Sequence, residues 1–141
     1  MWIKYSKYLL WIGYIYFSYL LLLITLQYIP YHTDVAFLRI KQEVIVLNHY
    51  KIAFFTHVYT SIFLMIFGAL QFSNYIKIKY IKLHRISGRF YVGTLLLLSG
   101  LSGLVMSYYA NGGLVAQVSF LLLSTFWMLF TFLSFYFILK K

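Results

Sequence analysis

The chain of 141 residues contains no cysteine, one proline and only two acidic residues. Without cysteine there is neither a disulfide framework nor a thiolate metal site. The two acids, Asp34 and Glu43, share one short stretch, so the separated carboxylate pair of a glycoside hydrolase is missing. No glycine loop of the phosphate-cradling type occurs, and no HExxH pair. Charge as a whole is scarce: 10% of residues are Asp, Glu, Lys or Arg, against about 25% in a soluble domain. What fills the chain is apolar. Hydrophobic residues make up 63% and aromatics 23%, with a mean hydropathy of +0.84. Such a chain cannot cover a water-facing surface with polar groups, so the lipid bilayer must be its main solvent. Twelve Lys and Arg leave a net charge of +10. In a soluble protein this excess would point to nucleic acid; here the basic residues sit between long apolar runs, where they set topology, and no nucleic-acid partner is expected.

A crossing helix needs roughly 20 mostly apolar residues. Four runs qualify, at about 8–29, 52–72, 90–109 and 114–139, and none contains Lys, Arg, Asp or Glu. The first is longer than the hydrophobic part of a signal peptide, so it reads as an uncleaved anchor. The expected fold is all-α: a polytopic membrane protein forming a four-transmembrane-helix bundle, with residues 1–141 as a single integral membrane domain. Lys4, Lys7, Lys77, Lys79, Lys82, Arg85, Arg89, Lys140 and Lys141 fall on one side, and Arg39, Lys41 and Lys51 on the other. The positive-inside bias then makes both termini and the 73–89 linker cytoplasmic in a cell (inner) membrane. Trp2, Tyr5, Tyr8 and Trp11 are expected at the inner boundary, and Tyr28, Tyr31, Tyr50, Tyr108 and Tyr109 at the outer one.

Between the first two spans, Phe37, Ile40, Val44 and Leu47 recur at helical spacing. A short helix resting on the outer interface is expected there. In the third span Gly93, Gly100, Gly103 and Ser107 fall on one stripe, and Ser99 with Gly103 forms a small-xxx-small pair. Small residues let helices approach closely in lipid, so this stripe predicts a packing seam. Asn111–Gly113 reads as a tight turn joining the last two spans into an antiparallel hairpin.

His57 is the one His, Asp, Glu, Lys or Arg inside a span. An ionisable group in the membrane interior is a functional candidate by default. Ser61, Gly68 and Gln71 follow it near one helical face. Two readings stay open: a neutral imidazole hydrogen-bonded across the bundle, or a ligand to haem, a proton or another small molecule. His84 lies beyond the far end of that span, about 22 Å away at 1.5 Å per residue, so one iron cannot join it to His57 within the chain. His32 and His49 are on the right side for His57 but in the outer linker, so a single-chain bis-histidine haem site is weak, and one completed by a second subunit or by helices outside this chain stays open. The inner linker adds Lys77, Lys79, Lys82, His84, Arg85 and Arg89. Its HRxxGR segment either anchors to anionic lipid headgroups or holds a ligand such as a quinone headgroup. Gln71, His84, Arg85 and Arg89 are the candidate contacts.

Four ordered blocks carry a resemblance: FFTHVYTSIFLMIFGALQF at 54–72, LHRISGRFYV at 83–92, GLVMSYYANGGL at 103–114 and SFLLLSTFWMLFT at 119–131. With DVAFLRIKQE in the outer linker, the chain resembles over about 33–135 the bacterial predicted membrane proteins of domain of unknown function 2306. The resemblance implies an inner-membrane helical protein. It places the family's recurrent positions on His57, Gly68, Gln71, Phe72, His84, Arg85, Gly88, Asn111, Gly112, Gly113 and Trp127. Family members continue into a further basic linker and about two more spans, so it also implies that the last helices are lacking here. Three functions follow as expectations. The first is a non-enzymatic membrane component working with other membrane subunits. The second is a haem- or quinone-linked redox protein using His57. The third is a subunit of an oligomeric small-molecule transporter, assembled as a homo-oligomer or with other membrane subunits.

Overall fold

The computed structural model describes residues 2–140, without the side chains of residues 2–5 and 7. The expectations placed on the side chains of Trp2, Lys4, Tyr5 and Lys7, and on Lys141, lie outside the described residues. Among those described, helices are the only regular structure: α1 (Trp2–Leu26), a 3₁₀ turn (Ala36–Lys41), α2 (Gln42–Ile45), α3 (Asn48–Phe72), α4 (Asn74–Lys79), α5 (Ile81–Thr94), a π turn (Leu95–Ser99), α6 (Gly100–Tyr108) and α7 (Gly113–Leu139). The architecture is all-α. Four helices are long and apolar enough to cross a membrane: Tyr8–Leu26, Asn48–Phe72, Ile81–Tyr108 and Gly113–Leu139. The chain divides into two compact units, residues 1–42 and 43–141.

In the first unit, α1 stops at Leu26 rather than running to residue 29. The next three amides, of Gln27, Tyr28 and Ile29, reach back only three residues, to Ile24, Thr25 and Leu26. This tighter winding closes the helix before Pro30. Tyr28 is 1% exposed and its hydroxyl accepts the backbone N–H of Phe37 at 3.3 Å. It therefore does not stand in the outer aromatic girdle expected of it; the hydroxyl is used to fold the chain back after the helix. The short helical segment expected after the first span is present as the 3₁₀ turn followed by the single turn of α2. Leu38 and Ile45 are buried, whereas Phe37, Ile40 and Leu47 are exposed.

The second unit is built on the third long helix, which runs α5, π turn, α6 without interruption from Ile81 to Tyr108. It begins nine residues earlier than the apolar run that revealed it. Its neighbours are antiparallel to it. Against α3, His49 meets Tyr109, His57 meets Ser99, and Gln71 meets His84. Against α7, Gly100 meets Met128 and Gly103 meets Ser124. The α6–α7 hairpin turns on Gly112 and Gly113, at φ +106 and +70, a region in which only residues such as Gly and Asn are at ease. At the α3–α6 end, Tyr50 is 1% exposed and packs on Phe54 and Tyr109, ring centroids 6.3 and 5.2 Å away. Like Tyr28, it is an interior residue and not a headgroup anchor.

The π turn alters the small-residue stripe. One extra residue in the turn rotates everything before it relative to everything after it. Gly100 and Gly103 stay on the seam, and Ser107 is buried. Gly93, on the far side of the π turn, has nothing within 4 Å of the place where a methyl group would sit. It is not part of the seam.

Candidate functional site

His57 sits on α3 where α3, α6 and α7 converge. Its Nδ1 lies 3.0 Å from the Ser99 carbonyl oxygen and 3.4 Å from the Ser102 hydroxyl. A carbonyl only accepts, so Nδ1 carries the proton and donates to it. The tautomer follows from this network. The Ser102 hydroxyl is itself spent on the carbonyls of Leu98 and Ser99, at 2.7 and 3.0 Å. Ser99 closes the π turn, in which the Gly100 amide donates to Leu95, five residues back. The floor of the site is Gly103: a methyl group there would stand 3.1 Å from Ser124 Oγ and 3.3 Å from His57 Cε1. Glycine thus lets the imidazole and α7 approach α6 together, where a methyl group would push them back by a few tenths of an ångström.

This arrangement gives the ring a defined chemistry. Both of its hydrogen bonds use Nδ1, so the lone pair belongs to Nε2. Such an imidazole can accept a proton donor or coordinate a metal through Nε2, and it cannot donate from that nitrogen. It therefore suits a quinol hydroxyl or an iron and does not suit a quinone carbonyl. A ligating histidine characteristically holds its other N–H on a carbonyl or carboxylate, as His57 does. The cluster would offer a haem a single nitrogen donor, His57 Nε2. His49, two turns up α3 or about 12 Å away, is engaged at 2.6 Å with the Tyr109 hydroxyl. No group of three or more His, Cys, Asp or Glu that could hold a metal ion occurs among the described residues.

The second cluster lies at the other end of α3. Gln71 Nε2 donates to the His84 carbonyl at 2.9 Å and to the Ser87 hydroxyl at 2.7 Å. Ser87 is 2% exposed and donates in turn to the same carbonyl, at 3.1 Å. Gly88 makes room: a methyl group there would be 2.9 Å from Gln71 Oε1. Gln71 is thus a clamp between the end of α3 and the start of α5. Of the four inner-end candidates, the structure joins Gln71 to the backbone of His84, not to its ring. The His84 Nδ1 is buried and has no hydrogen-bond partner among the described residues. Arg85 and Arg89 are exposed and stand outside the clamp. His57 and Gln71 are separated by fourteen residues of α3, about 21 Å, so the two clusters are distinct.

Three partners escaped sequence reasoning. Ser99 stood out only as a small residue, and neither Ser102 nor Ser87 was read as a partner. Their spacing on a helix next to the one bearing His57 and Gln71 was the available signal, but pairing them needs the register of two helices.

Comparison with known proteins adds one match. A family model described as predicted membrane protein (DUF2306) covers residues 54–141, from Phe54 on α3 to the end of the chain, and so includes both clusters. No curated protein matches the chain, and no solved structure does.

Proposed function

The chain belongs to the DUF2306 family of predicted membrane proteins, and on that premise we propose that it is a non-enzymatic component of the cell (inner) membrane. It is embedded in the bilayer, and the basic bias described above supports cytoplasmic termini. The observation that carries the reading is the use made of the polar side chains inside the second unit. His57 and Gln71 are each turned onto a backbone carbonyl of the neighbouring helix, at 3.0 and 2.9 Å. They act as stitches between helices, which is how polar groups hold a bundle together where lipid gives little drive to associate.

A redox-linked role is the second reading, and one observation favours it: the Nδ1–H of His57 is fixed on the Ser99 carbonyl, leaving Nε2 for a ligand. In that role His57 would hold a haem through Nε2, with a further ligand from another membrane subunit or a second copy. The haem would supply one-electron transfer. The transporter-subunit reading has no comparable observation behind it.

One experiment separates the two. The full chain, expressed with ample haem and purified in detergent, is compared with His57→Leu by oxidised and dithionite-reduced absorption spectra and by thermal melting. For a structural stitch, neither protein shows a Soret band and the variant loses roughly 0.6–1.7 kcal/mol, the range for interhelical hydrogen bonds in membranes. A Soret band in the wild type that vanishes in the variant establishes the redox reading and sinks the first. A variant as stable as the wild type, without a band in either, removes the stitch argument.

A further inference from the structure

The segment that joins α3 to the buried part of the third long helix carries chemistry that neither cluster uses. Lys77 and Lys79 on α4, and Lys82, Arg85 and Arg89 on α5, are all exposed. Glu43, the one acid in the same unit, precedes α3 while these cations follow it, and the 25 residues of α3 put about 37 Å between the two ends. Lys82, Arg85 and Arg89 fall at i, i+3 and i+7, one face of a helix. Lys79 is partly occupied, donating to the Tyr75 hydroxyl at 2.9 Å and lying over the rings of Tyr75 and Tyr80 at 5.2 and 5.7 Å.

Large apolar side chains alternate with these charges and are equally open. Ile78, between Lys77 and Lys79, is 82% exposed, and Tyr75, Tyr80, Ile81, Leu83 and Ile86 are exposed as well. A solvated charged loop has no use for them. A segment lying at the headgroup boundary does, with its apolar side chains in the upper acyl layer and its cations among the phosphates. The segment is also held in place. The Ser73 hydroxyl caps α4 by accepting the Ile76 amide at 3.4 Å, and the Gln71 clamp fixes the start of α5.

We infer that α4 and the first three turns of α5 form a binding surface for anionic phospholipid, with Lys77, Lys82, Arg85 and Arg89 on the phosphodiester headgroups and Ile78 seated among the acyl chains. A zwitterionic lipid offers the same phosphate but brings its own cation, so the surface selects lipids of net negative charge. A soluble phosphate would satisfy the cations and leave the apolar side chains in water. The inference needs only that the chain is embedded in a bilayer; it does not rest on the orientation, the stitch or the redox reading.

The test uses the full chain in phosphatidylcholine vesicles, with the fraction of motionally restricted lipid read from spin-labelled phosphatidylglycerol and spin-labelled phosphatidylcholine. Phosphatidylglycerol should be preferred, and the preference should weaken at high salt. At about fivefold per basic residue near the surface as an upper bound, the quadruple variant K77Q/K82Q/R85Q/R89Q should abolish most of it. A control variant, K4Q/K7Q/K140Q/K141Q, removes the same charge elsewhere and should keep most of it. The chain has no native cysteine, so Ile78→Cys supplies a single thiol for a fluorescent label. That label should be shielded from aqueous iodide and quenched by a nitroxide near the top of the acyl chain. Equal restriction of the two lipids, equal loss in both quadruple variants, full iodide access at position 78, or competition by free glycerophosphate as strong as that by lipid would each overturn the proposal.

Discussion

Replacing Gly100 by alanine would place a methyl group 2.6 Å from Met128 Cγ, 2.7 Å from Met128 Sδ and 2.7 Å from the Leu95 carbonyl oxygen. Carbon atoms at rest stand about 3.5–4.0 Å apart, so something has to move. The sulfur can swing away. The Cγ sits close to the α7 backbone, and the Leu95 oxygen is backbone that already receives the Gly100 amide in the π turn. Relief therefore needs α7 to retreat or the π turn to rewind. Alanine gains about 1 kcal/mol over glycine in a helix interior, while overpacking costs about 1–3 kcal/mol. The Leu95 oxygen cannot rotate clear and Met128 Cγ can do so only by a change of χ1 inside the seam, so the cost lies at the upper end, and Gly100→Ala should lose about 1–2 kcal/mol net. Gly93→Ala is the control, because open space surrounds that position, and it should be neutral or gain up to about 1 kcal/mol. Reversible unfolding of both variants in mixed micelles, followed by helical circular dichroism, measures the difference. A Gly100→Ala protein as stable as Gly93→Ala would refute both the close approach of α7 and the π turn beneath it.

Three further outcomes are expected. Gly88→Ala meets only the mobile end of Gln71, at 2.9 Å; it should cost about 0.6 kcal/mol per clamp bond lost, and a double-mutant cycle with Gln71→Ala should be less than additive, strict additivity contradicting the clamp. At the hairpin, Gly112→Ala, forced to φ +106, should lose about 1–3 kcal/mol, while Gly113→Asn, at φ +70 with open space around it, should be tolerated in the same melts. Burial holds the Lys41 ammonium below the ordinary lysine range. The folded chain then binds fewer protons than the unfolded one between the two values, so stability should rise as pH climbs through the depressed value. Lys41→Met should flatten that rise in melting curves taken from neutral to alkaline pH, and an unchanged slope would dispose of the argument.

The spans were legible because length and apolarity suffice to find them, and Asn111–Gly113 announced its turn by residue type. The start of the third helix was not. Lys82, His84, Arg85 and Arg89 interrupt the apolar run, and charge was taken for the end of helix although the backbone carries on through it. Gly88, inside that charged stretch, is a mid-helix notch for Gln71. The π turn has no periodic signature at all: Leu95–Ser99 reads LLLLS, and a helix-wheel count across it puts Gly93 on a seam from which the extra residue removes it. His57 was identifiable from its burial in apolar sequence; its partner is a backbone oxygen, which no side-chain pattern can reveal.

The four residues between α6 and α7, Tyr109 to Gly112, carry no charge. In the orientation proposed above, this tip is what has to be translocated when the last two helices enter the bilayer. Each Lys, Arg or Asp at the centre of the membrane would oppose that passage by about 2.5–3.5 kcal/mol, and here there is none. The two helices can therefore enter from one side as a hairpin without carrying a charge across, and an added Lys or Arg in the tip would oppose that entry.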